Sequence, residues 1–179
     1  RFGHKYRYAD AVYYLLGYIL YQEGRTDEAV QMWMALMDEF PKSKVTPEVT
    51  LRLGEMHFDN GDFEKAGEVY KKALAYKKSS YYDKAIYKLA WTYLQQDQYD
   101  LAIKHFIQLI ELYDSRGDDK ASALREEAVS VLGSSLADDD WDADGDADEP
   151  RGLTRAKLYL KKGKPYESEI FQAYANALY

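Results

Sequence analysis

Hydrophobic and polar positions alternate at helical spacing along this chain. Three segments show the pattern most clearly: Tyr13–Leu20, Thr50–His57 and Ile86–Tyr93. In each segment the first, fourth and eighth positions lie on one face of a helix, and the fourth is a leucine. Such spacing gives a helix one apolar face for a neighbouring helix. The pattern therefore predicts three amphipathic helices of one kind.

A small residue follows each of these leucines and begins a set of fixed offsets. A turn residue stands 7 positions after it, an alanine 12 after it and a large aromatic residue 16 after it. The sets are Gly17, Gly24, Ala29 and Trp33; Gly54, Gly61, Ala66 and Tyr70; and Ala90, Asp97, Ala102 and Phe106. The small residue and the alanine let two helices approach closely, and we expect the aromatic to fill the space between pairs. A glycine at the turn position suits a left-handed backbone. The offsets predict tandem antiparallel helix pairs.

The C-terminal third repeats the pattern less completely. Val129–Leu136 has the first-helix spacing around Gly133, but an acidic stretch follows it, and Leu153–Lys161 is the segment left to pair with it. Tyr166–Ala175 aligns with Tyr81–Ala90 and predicts the opening helix of a fifth repeat. That helix could cap the array or present its apolar face to a missing partner.

These offsets resemble the tetratricopeptide repeat, whose first helix carries a large residue, Leu-Gly and an aromatic. Its second helix carries an alanine, an aromatic and often a closing proline, here Ala29, Trp33 and Pro41. The resemblance is strong over residues 8–116 and weaker beyond. It implies an all-α fold, a right-handed α-solenoid of tandem antiparallel helix pairs over residues 1–179. The expected divisions are residues 8–43, 46–78, 81–116, 120–162 with an acidic insert at 138–150, and 165–179.

Spacings of 36 to 43 residues between the small residues exceed the family's usual 34. In this the chain looks similar to repeat proteins of bacterial envelopes, namely lipoproteins of outer-membrane assembly and Tol–Pal-associated periplasmic proteins. That similarity implies a periplasmic or envelope-associated protein, while a cytoplasmic location stays open. The chain begins at Arg1 rather than at a methionine, and we interpret it as a piece of a longer protein.

Composition and charge narrow the partner class. The formal net charge is −7, but eight acidic residues lie between Asp138 and Glu149, and without them it would be +1. Nucleic-acid binding needs a sustained basic stripe, which this chain lacks. Its apolar runs fall well short of the roughly 18 residues that a membrane-spanning helix needs, so direct membrane insertion is not expected. With no cysteine, neither disulfides nor thiolate metal sites can form.

In proteins that resemble this one, the first helix of each pair lines a concave groove. The resemblance implies that positions −6, −3, +1 and +4 from each small residue face a partner. The candidate groove residues are Tyr14, Tyr18, Tyr21, Leu51, Glu55, Phe58, Lys84, Tyr87 and Trp91. This largely aromatic lining suits an apolar or amphipathic peptide or protein, with Tyr18, Tyr87 and Trp91 as anchors. The alternative is that these aromatics pack against neighbouring helices.

The acidic insert carries the sharpest chemical motif. Alternating aspartates followed by a glycine match the first half of a calcium loop, since hard oxygen donors on a flexible loop suit Ca²⁺. Arg151 stands where a closing bidentate glutamate would be expected, so the motif is incomplete. A solvated acidic loop is the alternative. The candidate ligands are Asp140, Asp142, Asp144, Asp146 and Asp148.

No motif for catalysis stands out. The chain has no HExxH motif and no glycine-rich phosphate loop. Of its three histidines, His4 is near the N-terminal end of the sequence, and His57 and His105 lie in helical repeats, where we expect packing and surface roles respectively. We therefore expect a non-enzymatic scaffold that requires no cofactor and binds a peptide or protein. The alternative is a structural or oligomerisation spacer, a homo-oligomer with a calcium-ordered loop.

Overall fold

The computed structural model describes residues 7–117, 123–138, 140, 146–147 and 152–179. Regular structure in this part of the chain is entirely α-helical, which confirms the predicted all-α class. The helices are α1 (Ala9–Gln22), α2 (Thr26–Glu39), α3 (Thr46–Asp59), α4 (Phe63–Ala73), α5 (Tyr82–Leu94), α6 (Tyr99–Arg116), α7 (Ala123–Ala137), α8 (Gly152–Tyr159) and α9 (Tyr166–Ala177).

The chain divides into two compact units, Arg1–Ala85 and Ile86–Tyr179, which we call unit 1 and unit 2. Unit 1 holds α1 to α4 and the beginning of α5. Unit 2 holds the rest of α5 and the helices α6 to α9. Each unit is described separately below.

In unit 1 the helices form two pairs, α1 with α2 and α3 with α4, and each pair turns at a glycine. Gly24 has a φ of 77° and Gly61 a φ of 75°, so the predicted left-handed turns are confirmed. The same bond closes each turn, because Arg25 N donates to the Leu20 carbonyl and Asp62 N to the His57 carbonyl, both at 2.9 Å. A β-carbon at these φ values would be strained, which explains the glycines.

Each pair in unit 1 closes with an aromatic ring over a glycine. The Trp33 side chain lies against Gly17 and the Tyr70 side chain against Gly54, and a β-carbon added to either glycine would overlap the ring. Both rings are fully buried. The small residue thus admits the ring of its own pair, a contact more specific than the predicted filling between pairs.

The Trp33 ring also contributes to the core that joins the two pairs. It clusters with Tyr13 and Leu36 of the first pair and with Val49 and Leu53 of the second. Burying large apolar side chains is the main favourable term in folding, at about 1.5–3 kcal/mol for each. The first and second pairs of unit 1 are therefore held together by one continuous apolar cluster.

Unit 2 pairs its helices differently from the prediction. α9 packs along α7 as closely as α2 packs along α1, whereas α8 touches α7 at few points. At the contact, a β-carbon on Gly133 would collide with the backbone of Ala173. The expectation that Leu153–Lys161 pairs with the Gly133 helix is therefore wrong, since α9 occupies that place. The division into repeats otherwise stays a prediction.

A buried arginine holds α6, α7 and α9 together. The Arg125 side chain on α7 is 2% exposed. Its Nε donates to Asp114 Oδ1 at 2.8 Å, and its Nη1 donates to Glu169 Oε2 at 2.6 Å. Hydrogen bonds to both carboxylates outweigh the cost of burial and raise the Arg125 pKa above its ordinary value, so the guanidinium is charged. This network fixes α9 and α6 to α7.

Candidate partner-binding surface

Unit 1 exposes two of the predicted groove tyrosines. Tyr18 and Tyr21 are 39% and 41% exposed and, three residues apart on α1, lie on the same face. The Tyr21 ring leans on the buried Trp33 ring, with their centroids 5.9 Å apart. The two tyrosines therefore present aromatic surface to solvent, and the Tyr21 ring is supported by the buried Trp33 ring.

The remaining predicted residues of unit 1 are placed less favourably. Leu51 is 4% exposed and belongs to the core, so it offers no surface to a partner and is a correction to the predicted set. Glu55 and Phe58 are half-buried. The Phe58 ring already contacts Phe63 edge to face, at 5.2 Å between centroids. Lys84 is exposed.

A polar cluster stands beside these tyrosines and is centred on the Glu48 carboxylate. Tyr14 Oη donates to Glu48 Oε1 at 3.1 Å. Arg52 donates to the same oxygen through Nε at 2.9 Å and Nη2 at 2.8 Å. The Tyr81 hydroxyl lies near the Glu48 carboxylate as well and interacts with it. Three side chains from three helical or loop segments thus converge on one carboxylate.

The cluster keeps Glu48 ionised. Burial pushes the pKa of its carboxyl upward, but the hydrogen bonds from Arg52 and Tyr14, together with the nearby Tyr81 hydroxyl, outweigh burial and hold that pKa below its usual value. The pKa values of the Tyr14 and Tyr81 hydroxyls are raised, first by burial and then by their interaction with Glu48. Near neutral pH the cluster therefore combines one carboxylate, one guanidinium and two neutral hydroxyls.

Arg52 connects the polar cluster to the exposed aromatics. Its Cζ stands 6.0 Å from the centre of the Tyr18 ring, within cation–π range. The six residues Tyr14, Tyr18, Tyr21, Glu48, Arg52 and Tyr81 are called the tyrosine surface below.

Sequence reasoning missed Arg52 and Tyr81 as members of this surface. The offsets chosen to describe the groove skip both positions. The spacing of Glu48 and Arg52, four residues apart on one helix face, was the available signal for the first. No local signal marks Tyr81, which reaches Glu48 from the loop before α5.

In unit 2 the two remaining anchor candidates are packed rather than open. Tyr87 and Trp91 are half-buried, and their ring centroids lie 6.3 and 6.2 Å from that of the buried Phe106. The Tyr87 hydroxyl donates to Glu127 on α7. Burial first, and that hydrogen bond second, raise the pKa of Tyr87 to about 12. These contacts favour the alternative interpretation, a packing role, for this pair.

The acidic insert lies largely beyond the described part of the chain. Asp142, Asp144 and Asp148 are outside the described residues, and calcium binding stays a prediction. Asp146 is exposed, and the Asp140 backbone N donates to Asp138 Oδ1 at 3.2 Å. Among the described residues, no three acidic or histidine side chains are grouped to hold a metal ion.

The two histidines of the described helices sit in packing contacts. His57 is half-buried on α3. His105 is also half-buried rather than exposed as expected, because its ring stacks on Tyr93 at 5.5 Å with an interplanar angle of 8°. Its Nδ1 lies 3.0 Å from Gln108 Oε1. Neither arrangement brings a base to a nucleophile.

Tandem helix pairs, closed in unit 1 by a ring over a glycine, define a helical repeat protein, the class from which interaction scaffolds are built. The tetratricopeptide repeat family matches residues 46–115 and, separately, residues 11–43. Together the two matches cover more than half of the chain, which belongs to the tetratricopeptide repeat family. No curated protein matches it.

Membership of this family indicates the general class of activity. Tetratricopeptide repeats generally mediate protein–protein interaction, and proteins of this family are typically non-enzymatic scaffolds. None of the described helices is both long and apolar enough to cross a membrane.

Proposed function

We propose that this protein binds a peptide or protein partner on the tyrosine surface of unit 1. The observation that carries the proposal is the exposed pair Tyr18 and Tyr21, backed by the Trp33 ring and flanked by the Arg52 guanidinium. Tyrosine and arginine are enriched among the residues that dominate binding energies. Here both kinds stand together on one face.

The geometry supports binding because these side chains are already ordered. Arg52 is held by two hydrogen bonds to Glu48, and Tyr14 is held by one. A partner therefore does not bear the full entropic cost of fixing them, which is about 0.5–1.5 kcal/mol for each flexible side chain. Since Glu48 balances the charge of Arg52, the surface favours an amphipathic partner that offers apolar side chains to the two rings.

The double variant Tyr18→Ala/Tyr21→Ala is expected to weaken partner binding about 100-fold, because each lost anchor costs on the order of 1–2 kcal/mol. Peptides would be selected from a random display library on the native chain, and their Kd measured by fluorescence anisotropy. Tyr179→Ala, which removes a fully exposed tyrosine in unit 2, is the matched control and should leave Kd unchanged. Circular dichroism checks that helicity is retained.

Equal affinity of the selected peptides for the native chain and the double variant would contradict the proposal. So would a library that yields binders sensitive to Tyr179→Ala but indifferent to Tyr18 and Tyr21. Arg52→Gln separates the guanidinium from the rings, and we expect it to weaken binding by a smaller factor than the double variant.

A second candidate function, self-association as a structural spacer, is favoured by the outer face of α1. Val12 and Leu16 stand five and one positions before Gly17, as Val49 and Leu53 stand before Gly54. On α3 these positions are 0% and 2% exposed, because the Trp33 cluster covers them. On α1 they are 45% and 37% exposed.

We infer that a second copy of this chain covers that face of α1. One helix face is smaller than the roughly 800 Å² per partner that stable dimers bury, so the association should be weak. Sedimentation equilibrium should show a concentration-dependent dimer that Leu16→Glu abolishes. A monomer at all concentrations, or a dimer that survives Leu16→Glu, would eliminate this candidate.

We also propose that the acidic segment 138–150 takes up calcium. Its eight carboxylates repel one another, so a divalent cation should stabilise the folded chain. A thermal melt in millimolar calcium should exceed the melt in EDTA by several degrees, with magnesium as the control. Identical melting temperatures in all three conditions would leave the segment as a solvated insert.

A further inference from the structure

Two loops of unit 1 have the same local conformation although they differ in sequence. The first comprises residues 40–46 and ends on the first residue of α3, and the second comprises residues 76–82 and ends on the first residue of α5. In the first, Ser43 N donates to the Phe40 carbonyl at 3.0 Å and Thr46 N donates to the Ser43 carbonyl at 3.3 Å. The second repeats both bonds 36 residues later, at 2.9 and 3.2 Å. Two copies of one turn are therefore built side by side.

A pocket of about 630 Å³ lies between these loops, and its lining is basic. It contains four lysines, two from each loop, with serines, tyrosines and prolines, and no acidic residue. The charged members are Lys42, Lys44, Lys77 and Lys78.

All four lysines are exposed, and none forms an ion pair with a carboxylate of the described residues. This is notable in a chain whose net charge is −7. Like charges held near one another repel, so four lysines around one concavity raise its potential and attract anions. The acidic excess of the chain lies at residues 138–149, whereas this pocket gathers positive charge.

We propose that this pocket binds an acidic peptide segment, with carboxylates on the lysines and an apolar side chain on the apolar part of the lining. That part is supplied by Pro41, Pro47 and Tyr76, which a bare phosphate group would leave unused. The four ammonium groups are spread over two loops and suit carboxylates spaced along an extended chain. No arginine offers the bidentate geometry typical of phosphate recognition.

The proposal for this pocket does not rest on the proposed function of the tyrosine surface. The two sites share one residue, Tyr81, which lines the pocket and interacts with Glu48. The test therefore uses the lysines, which take no part in the Glu48 cluster. Loss of binding at one site and retention at the other would distinguish the two proposals.

The probe is a fluorescein-labelled synthetic peptide with the sequence of residues 138–149, which carries eight carboxylates and one tryptophan. The intact chain should bind it, more weakly as salt rises, because exposed charge pairs are screened. The variant Lys42→Glu/Lys78→Glu should weaken binding by about tenfold or more. The matched control, Lys104→Glu/Lys157→Glu, reverses two exposed lysines of unit 2 and should leave Kd unchanged.

Three outcomes would overturn the proposal. The first is no binding of the peptide at low salt. The second is equal loss in the two double variants, which would show a general charge effect. The third is no binding of the peptide together with tight binding of inorganic tripolyphosphate that Lys42→Glu/Lys78→Glu weakens. That result would assign the pocket to a phosphorylated ligand. Competition of tripolyphosphate at millimolar concentration alone, with the peptide bound more tightly, supports the peptide.

Discussion

Arg125→Ala is expected to lower the free energy of unfolding by about 3–5 kcal/mol, the largest effect of any substitution considered for this chain. The guanidinium is almost completely buried and carries bonds to carboxylates on two other helices. Removing it leaves Asp114 and Glu169 partly buried without their charge partner, which costs more than the ion pair itself contributes. The loss should be concentrated in α9, which the pair with Glu169 ties to α7.

Urea denaturation followed by circular dichroism measures this effect. Arg116→Ala is the matched control, since it removes an exposed arginine near the end of α6 and should change stability by less than about 0.5 kcal/mol. Arg125→Lys should recover part of the loss, because an ammonium keeps the charge but not the two-sided geometry. A cost for Arg125→Ala no larger than for Arg116→Ala would show that the network does not hold α9.

Gly54→Ala should cost about 2 kcal/mol, although alanine is the better helix former by about 1 kcal/mol. The added β-carbon would overlap the Tyr70 ring, which is fully buried. The second pair must then open or shift along its axis. The same argument applies to Gly17 under Trp33.

A double-mutant cycle isolates this contact. In a Tyr70→Leu background the ring is gone, so Gly54→Ala should cost nothing or stabilise the chain through helix propensity. The expected coupling energy between the two positions is about 2 kcal/mol. If Gly54→Ala costs the same in both backgrounds, the glycine is needed for another reason than the ring.

The offsets between small and aromatic residues predicted the helix pairs of unit 1, because the contact between each glycine and its ring determines the spacing and also holds the pair together. Gly17 and Gly54 leave space for the Trp33 and Tyr70 rings. The spacing of 16 residues therefore corresponds to the second half of one helix, the turn and the first half of the next helix. The turn glycines were predictable for the same kind of reason, a backbone conformation that other residues rarely adopt.

The pairing of α9 with α7 could not be predicted from local pattern. Tyr166–Ala175 aligns with a first helix, yet two long-range contacts hold it on α7, namely Arg125 with Glu169 and Gly133 against Ala173. A third contact ties it to α6, where the Tyr166 hydroxyl donates to Glu111 at 3.1 Å. The competing segment α8 has only 8 residues. It leaves Leu153 and Leu158 51% and 66% exposed, so it buries too little to take that place.

The binding surface was predicted in part, since offsets along a helix give the face of a residue but not its depth. Tyr18 and Leu51 both stand at offsets that were expected to face the groove, yet Tyr18 is exposed and Leu51 lies in the core. Arg52 joins the surface through a local pair with Glu48, four residues earlier on α3, whereas Tyr81 approaches Glu48 from 33 residues further along the chain, which no repeat spacing encodes.

Hydrogen–deuterium exchange on the intact chain, with and without a display-selected peptide, tests the central proposal most directly. The tyrosine surface predicts slower amide exchange in α1 and α3, Ala9–Gln22 and Thr46–Asp59, and no such slowing when the chain carries Tyr18→Ala/Tyr21→Ala. Protection confined to α2 and α4, or to unit 2, would place the partner elsewhere and contradict the proposed function.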